Sequence, residues 1–187
     1  MVNVVIYDAM FIIQSLPTAL LHNFGKVAEI DLKIICNTQA DEIHFVCDNH
    51  VNSIKNASQQ ARGANDGSFR ITGAEKLRPK EFRFALRSPN FKNALIKFFK
   101  EEWKLAKYAA LIKHKTIIFA HDSLCIQCTA METGEVTCTV LPDYSCSHVE
   151  SDTMLVYHLK LVSEASSGKN IVVRATDTDV WLSSSFM

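Results

Sequence analysis

The pattern of apolar and polar positions divides the chain into short apolar runs and longer segments with helical spacing. The short runs have the composition of buried parallel strands, and they cover residues 2–7, 42–47 and 171–175. Helical spacing predicts helices over residues 10–21, which Pro17 should divide, and over residues 26–37. A strand, helices and a second strand make a crossover unit, whose ligands bind beyond the carboxyl ends of the strands.

The second half of the chain continues this alternation. Ser88 and Pro89 are typical of a helix start, because serine caps helices and proline suits the first helical position. Apolar residues keep helical period over residues 91–112, which predicts one long helix. Residues 116–120 and 124–140 alternate as strands do, and they predict a β-hairpin.

Length and composition indicate one domain. A chain of 187 residues, 48% of them apolar, can bury a substantial core. We divide this α/β domain into an acidic core of residues 1–50 and 145–187, a basic insert of about 52–115 and a hairpin of about 116–141. An uncharged apolar run of about 18 residues is missing, so we expect no membrane span. The N-terminus resembles a strand more than a signal peptide, so we expect an intracellular protein, nuclear or cytoplasmic and not secreted.

Charge is distributed unevenly along the chain. The formal net charge is zero, yet residues 55–115 hold 15 basic and 5 acidic side chains, and the rest holds 5 basic and 15 acidic ones. This asymmetry suggests that the insert binds a polyanion while the remainder binds cations. The candidate nucleic-acid contacts are Lys55, Arg62, Arg70, Arg78, Lys80, Arg83, Arg87, Lys97, Lys100, Lys104 and Lys107. The last four, spaced by three and four, form a helical stripe, although such a stripe is also typical of an ordinary solvated surface.

Acidic residues stand at the ends of the predicted strands and at the start of the last helix, which should reach about residue 164. They are Asp8, Asp48, Glu150, Asp152, Asp177 and Asp179. The carboxyl ends of parallel strands meet at one sheet edge, so these carboxylates are expected together, where a cation must offset their repulsion. Oxygen ligands alone suit Mg²⁺ or Mn²⁺. The alternative is that each acid only caps the helix that follows it.

The six cysteines are too few for the disulfide framework of a small secreted protein, and we expect reduced, buried thiols. A zinc site is the alternative, because Cys125-Ile-Gln-Cys128 precedes Cys138, Cys146 and His148. The spacing is not that of a known zinc finger, and residues three apart on a strand point to opposite faces. The thiol interpretation is therefore preferred.

Four short motifs resemble, in order and spacing, the successive acidic motifs of flap-endonuclease-type nucleases within the PIN-like superfamily. They are Ile6-Tyr-Asp8-Ala-Met, Phe45-Val-Cys-Asp48, Glu150-Ser-Asp152 and Thr176-Asp177-Thr-Asp179. The basic insert falls where those enzymes carry a helical arch over single-stranded DNA. The resemblance covers nearly the whole chain and implies a Rossmann-like three-layer α/β/α sandwich with a mainly parallel central sheet, a basic helical insert and a β-hairpin.

By this resemblance, the six acids would be catalytic residues that bind two Mg²⁺ or Mn²⁺ ions directly or hold metal-bound water, and the ions would assist phosphodiester hydrolysis. The substrate would be nucleic acid with single-stranded or flap character, DNA rather than RNA. The chain departs from the family pattern at Asp152, where a glutamate is usual, and it ends soon after Asp179, before the family's helix-hairpin-helix. A fragment, a minimal domain or a transposon-associated relative would fit these departures. The alternative function is an inactive module of the same fold that binds nucleic acid or a protein.

Two other α/β families fit less well. A haloacid-dehalogenase-like phosphatase needs a second aspartate two residues after the first, and Met10 occupies that position. A dinucleotide-binding enzyme needs a glycine-rich first turn, whereas Ala9-Met-Phe11 follows Asp8.

Overall fold

The computed structural model describes residues 3–47, 69–145, 151–165 and 168–175. The strands in these ranges are β1 Val4–Asp8, β2 Glu42–Val46, β3 Thr116–His121, β4 Leu124–Ala130, β5 Val136–Val140 and β6 Ile171–Arg174. The α-helices are α1 Ala9–Ser15, α2 Phe24–Cys36, α3 Phe82–Ala85, α4 Pro89–Glu102, α5 Ala109–Ile112 and α6 Ser151–Ala165. Short 3₁₀ turns cover Thr18–Leu20, Ala106–Tyr108 and Pro142–Tyr144.

All six strands join one mixed sheet in the order β5-β4-β3-β2-β1-β6. The neighbours β3, β2, β1 and β6 are parallel, and β4 and β5 add an antiparallel hairpin at one side. The predicted α/β class, the mainly parallel sheet and the hairpin are confirmed. The central position of β1, between β2 and β6, matters most for the candidate site.

Two apolar clusters lie on the two faces of the sheet. Alternate side chains of β1 point to opposite faces of the sheet, so Val5 and Tyr7 belong to one cluster and Val4 and Ile6 belong to the other. The first cluster also contains apolar residues of α1, α2 and α4, and the second contains residues of α6. Both faces of the sheet are therefore covered by helices.

Local sequence signals account for several helix ends. Helix α1 ends at Ser15, two residues before Pro17, as predicted. The Asn23 side chain accepts a hydrogen bond from the Lys26 amide at 2.8 Å at the start of α2. The Ser88 hydroxyl accepts one from the Phe91 amide at 3.1 Å, which confirms the predicted cap of α4.

The prediction of one long helix over residues 91–112 is wrong. Helix α4 ends at Glu102, and Leu105 has an extended backbone with φ −73° and ψ 139°. Tertiary contacts explain the break, because the buried Trp103 indole donates to the Ala28 carbonyl of α2 at 3.0 Å. The Tyr108 hydroxyl then donates to the buried Glu102 carboxylate at 3.2 Å. These contacts outweigh helical periodicity here.

Across the described ranges, no helix is both long and apolar enough to cross a membrane.

Candidate functional site

Asp8 ends the central strand of the parallel part of the sheet. It is 7% exposed, and its Oδ1 accepts a hydrogen bond from the Met10 amide at 2.9 Å, so Asp8 caps α1. The helix-capping alternative is thus confirmed for this residue. A carboxylate has two oxygens with several lone pairs, so capping through one oxygen does not prevent Asp8 from binding a cation.

The neighbouring strands bring their carboxyl ends to the same edge. Asp8 is in register with Val46 of β2, and Tyr7 is in register with Arg174 of β6. After Val46, the Cys47 amide still bonds the Ala120 carbonyl of β3 at 3.0 Å. Three adjacent strands therefore end at this edge of the sheet. Asp48, Asp177 and Asp179, which were predicted to join Asp8, lie outside the described residues.

Asp152 is the second residue of α6 and is partly buried. Helix α6 and β6 are joined by a short connection, so the helix begins near the carboxyl edge of the sheet and runs back along one face. Met154 and Leu155, in the first two turns of α6, belong to the same apolar cluster as Val46 and Ala120. The fold thus places Asp152 toward the edge at which Asp8 lies. Glu150, the other predicted acid of this pair, lies outside the described residues.

The donor chemistry of the predicted set suits a hard divalent cation, since every member is a carboxylate. Two of the six predicted acids, Asp8 and Asp152, lie in the described part of the chain. Within that part, no group of three or more His, Cys, Asp or Glu side chains is arranged to hold a metal ion.

The predicted lysine stripe does not lie on one helix. Lys97 and Lys100 are in α4, whereas Lys104 follows the end of α4 and Lys107 is in the 3₁₀ turn of residues 106–108. Three of these lysines form ion pairs: Lys97 with Asp122 at 3.7 Å, Lys104 with Glu101 at 2.8 Å and Lys107 with Glu102 at 2.5 Å. Their charge is therefore partly neutralised by neighbouring carboxylates.

Arg78 has a structural role. Its guanidinium donates hydrogen bonds to four backbone carbonyls, those of Leu21, Thr18, Pro79 and Lys80, at 2.5 to 2.9 Å. The bonds to Thr18 and Leu21 fasten this part of the insert to the segment before α2, and the other two are local. Arg78 is therefore a structural residue and not part of the proposed nucleic-acid surface.

Arg83 and Arg87 form a different kind of surface. Both are exposed, one helical turn apart, and with Gln14 of α1 and Leu86 they line a cavity of about 370 Å³. The Arg87 guanidinium lies 5.4 Å from the ring centroid of Phe84, which is 66% exposed. Neither arginine forms an ion pair with another described residue. We call Arg83, Phe84 and Arg87 the α3 surface.

Of the other predicted contacts, Arg70 and Lys80 are exposed, whereas Lys55 and Arg62 lie outside the described residues.

The prediction that all cysteines are reduced is wrong for Cys128 and Cys138, which form a disulfide across the hairpin. The antiparallel ladder places Cys128 directly opposite Cys138, and this register was not predicted from the sequence. Cys125 is buried, in agreement with the preferred interpretation. The zinc alternative loses two of its ligands to the disulfide, and Cys146 and His148 lie outside the described residues.

Two buried polar features were not predicted. Glu42, His44 and His158 form a chain of hydrogen bonds between β2 and α6. His44 and His158 are 114 residues apart in the sequence, too distant to suggest a pair. Asp31 is fully buried in α2, and burial raises its pKa well above the usual value. A signal for Asp31 did exist, since Val27 and Ile35, four residues to either side, place it on the apolar face of the helix.

Comparisons with protein-family models, with curated proteins and with solved structures found no match.

Proposed function

We propose that this chain is a divalent-metal-dependent nuclease that hydrolyses phosphodiester bonds in nucleic acid with single-stranded or flap character. The observation that carries the proposal is the position of β1 between β2 and β6. Asp8 ends this central strand, Asp48 is the second residue after Val46, and Asp177 is the third after Arg174. A strand order that gathers three such ends supports one shared carboxylate site.

The mixed, mostly parallel sheet with helices on both faces supports the Rossmann-like three-layer sandwich that the family resemblance implies. In this proposal, Asp8, Asp48, Glu150, Asp152, Asp177 and Asp179 hold two Mg²⁺ or Mn²⁺ ions. The ions, when bound, activate a water molecule and offset charge on the leaving oxygen. The Met10 amide fixes the orientation of the Asp8 carboxylate through its bond to Oδ1. Asp152, one methylene shorter than the glutamate usual there, reaches the site from the start of α6.

The α3 surface lies beside the helix that starts at Asp8. Gln14, which lines the arginine cavity, is six residues after Asp8, so α1 separates the two by roughly 9 Å of helix rise. Arg83 and Arg87 hold backbone phosphates near the carboxylates, because a guanidinium forms paired bonds with phosphate oxygens. Phe84 offers a face for base stacking, which requires an unpaired base. The exposed ring of Phe84 between two arginines therefore favours a single-stranded substrate. We propose that this substrate is DNA and that the protein is intracellular.

The test is cleavage of a labelled single strand and of a labelled flap by the purified chain with Mn²⁺. We expect cleavage that EDTA abolishes and that Asp8→Asn or Asp177→Asn reduces by at least about a hundredfold. Asparagine caps helices as well as aspartate does, so Asp8→Asn preserves the cap of α1 while removing an anionic ligand. Asp143→Asn, an exposed change in the 3₁₀ turn of residues 142–144, is the matched control and should cut normally.

A second candidate is a catalytically inactive module of the same fold that binds nucleic acid or a protein. The capping role of Asp8 favours it, because that role accounts for the aspartate without a metal. It predicts binding that is sensitive to salt and insensitive to EDTA, together with no cleavage by the wild-type protein. Cleavage that persists in both aspartate variants would contradict the metal site, and absence of cleavage in the wild type would favour this second candidate.

A further inference from the structure

The strand β5 ends the sheet in the described part of the chain, and β4 is its hydrogen-bonded neighbour there. Cys138 of β5 faces Cys128 of β4 with their Cα atoms 4.3 Å apart. Such a short separation marks a pair that does not exchange backbone hydrogen bonds in an antiparallel ladder. The N–H and C=O groups of Cys138 therefore point away from β4.

Backbone bonds at both ends of the hairpin agree with this alternation. The Met131 amide donates to the Glu135 carbonyl at 2.8 Å, and the Leu141 amide donates to the Cys125 carbonyl at 2.8 Å. The facing pairs Met131–Glu135 and Cys125–Leu141 belong to the same ladder as the pair Cys128–Cys138. Each of them is the third pair along the ladder from Cys128–Cys138, on opposite sides of it. Bonded and non-bonded pairs alternate along the ladder. The residues of β5 whose backbone groups point outward are therefore Val136, Cys138 and Val140.

The sequence of β5 is symmetric about Cys138. Val136-Thr-Cys-Thr-Val140 reads the same in both directions. When two copies pair antiparallel around Cys138, Val136 of each faces Val140 of the other, and Thr137 of each faces Thr139 of the other. The three outward-facing residues all find partners, with two hydrogen bonds for each of three pairs, roughly six in total. A two-fold interface requires this kind of self-complementary patch.

The strand also lacks the usual protection of a sheet edge. It contains no charged residue and no proline, and Val140 is 55% exposed. The disulfide links β5 to β4, so β5 already has the extended conformation that pairing with a second strand requires. In the symmetric register, Glu135 of one copy faces Leu141 of the other, so no like charges oppose each other directly.

We propose that two copies of this chain associate through their β5 strands, antiparallel and centred on Cys138, to form one continuous sheet. The occupant of the edge is a second copy, because the symmetry of the strand and the match of its outward groups are properties of self-pairing. A single strand pair buries a modest area, so the dimer forms at micromolar or higher protein concentration. This inference is independent of the proposed nuclease function.

The test uses two double variants of the full chain at Thr137 and Thr139, whose side chains are exposed. In Thr137→Lys/Thr139→Lys, each lysine faces a lysine of the second copy, which opposes pairing. In Thr137→Lys/Thr139→Glu, each lysine faces a glutamate. The two variants lose the same threonines, including the Thr129 to Thr137 hydroxyl contact at 3.3 Å, and they differ in charge at one position only.

Sedimentation velocity at several concentrations and low salt measures the dimerisation constant, and thermal melts verify folding of each variant. The proposal predicts a concentration-dependent wild-type dimer that the lysine pair weakens by about tenfold or more and that the lysine–glutamate pair preserves. If the wild type stays monomeric at several hundred micromolar, the proposed dimer is overturned. This holds both if another segment of the chain covers β5 and if β5 stays unpaired. Equal dimerisation of the two variants overturns the proposed register.

Discussion

The Nδ1 atoms of His44 and His158 lie 2.8 Å apart in the buried interface between β2 and α6. The His44 Nε2 atom is 2.8 Å from a Glu42 carboxylate oxygen. Since that carboxylate accepts a hydrogen bond from Nε2–H, Nδ1 is the acceptor nitrogen of the neutral His44 ring. The His158 Nδ1–H group therefore donates to His44. This chain helps to hold α6, and with it Asp152, against the sheet.

Acidification is expected to destabilise the protein through His158. Burial, together with the nearby His44, lowers the pKa of His158 from 6.5 to about 3. Below pH 6.5, His158 binds a proton in the unfolded chain but stays neutral in the folded chain. The stability present above pH 6.5 is therefore lost as the pH falls. The loss is about 1.4 kcal/mol per pH unit, or roughly 2 kcal/mol at pH 5.

Urea unfolding of wild type and His158→Asn at several pH values measures this contribution. Asparagine keeps a donor for His44 and does not titrate in this range, so the stability of the variant relative to wild type should rise as the pH falls from 6.5 to 5. His22→Asn, at an exposed position, is the control. A difference between His158→Asn and wild type that is constant with pH would contradict the account.

The contribution of Asp31 to stability should depend on pH in the opposite direction to that of His158, and it should become less favourable as the pH rises. Both of its carboxyl oxygens lack a hydrogen-bond partner among the described residues, and burial raises its pKa. Above about pH 3.8 the unfolded chain loses the proton that folded Asp31 retains, so this residue costs stability increasingly as the pH rises. Asp31→Asn does not titrate.

The unfolding free energy of Asp31→Asn relative to wild type should therefore increase between pH 4.5 and 7 by about 1.4 kcal/mol per unit until the folded pKa is reached. Asp41→Asn, at an exposed position, provides the comparison. A relative stability of Asp31→Asn that is the same at both pH values would show that Asp31 is already ionised in the folded protein.

Arg78→Ala is expected to lower the unfolding free energy by about 2 to 3 kcal/mol, because four backbone carbonyls lose a charged donor. Arg78→Lys should recover only part of the loss, since an ammonium group cannot reproduce the planar fork. Arg83→Ala, at an exposed site, should leave stability nearly unchanged. Denaturant titration checks all three, and a fully stable Arg78→Ala would refute the structural role.

Arg83→Ala/Arg87→Ala is expected to weaken single-strand binding about tenfold at low salt. Because each phosphate contact contributes about 0.7 to the slope of log affinity against log salt, that slope should fall by about 1.4. Phe84→Ala should lower affinity with little change in slope, since stacking releases no counterions. Fluorescence anisotropy measures both quantities, with Lys160→Ala on the opposite face as control. Unchanged binding by the double variant would exclude the α3 surface.

Features with local determinants could be predicted from the sequence. Pro17 divides its helix and Ser88 caps the next one because each acts on residues within one turn. The extended backbone at Leu105 could not be predicted, since it depends on the contact of Trp103 with α2, far away in the chain. Apolar spacing on either side of Leu105 suits a helix, so periodicity alone gave the wrong element.

The same distinction applies to the candidate site. Asp8 was placed correctly at a strand end, because a β-branched run followed by aspartate is a local pattern. The role of Arg78 was not predicted, since its partners Thr18 and Leu21 are distant in sequence. The pairing of His44 with His158 is likewise a property of how β2 and α6 pack.

The most direct test of the proposed metal centre is calorimetric titration of Mn²⁺ into the wild-type chain and into Asp8→Asn. Asp8 ends the central strand of the site, and asparagine maintains its cap, so a difference in binding reports on the anionic ligand. We predict that the wild type binds Mn²⁺ and that Asp8→Asn binds it at least about tenfold more weakly, with an unchanged melting temperature. Equal Mn²⁺ affinity in the two proteins, or no binding by the wild type, would contradict the proposed centre.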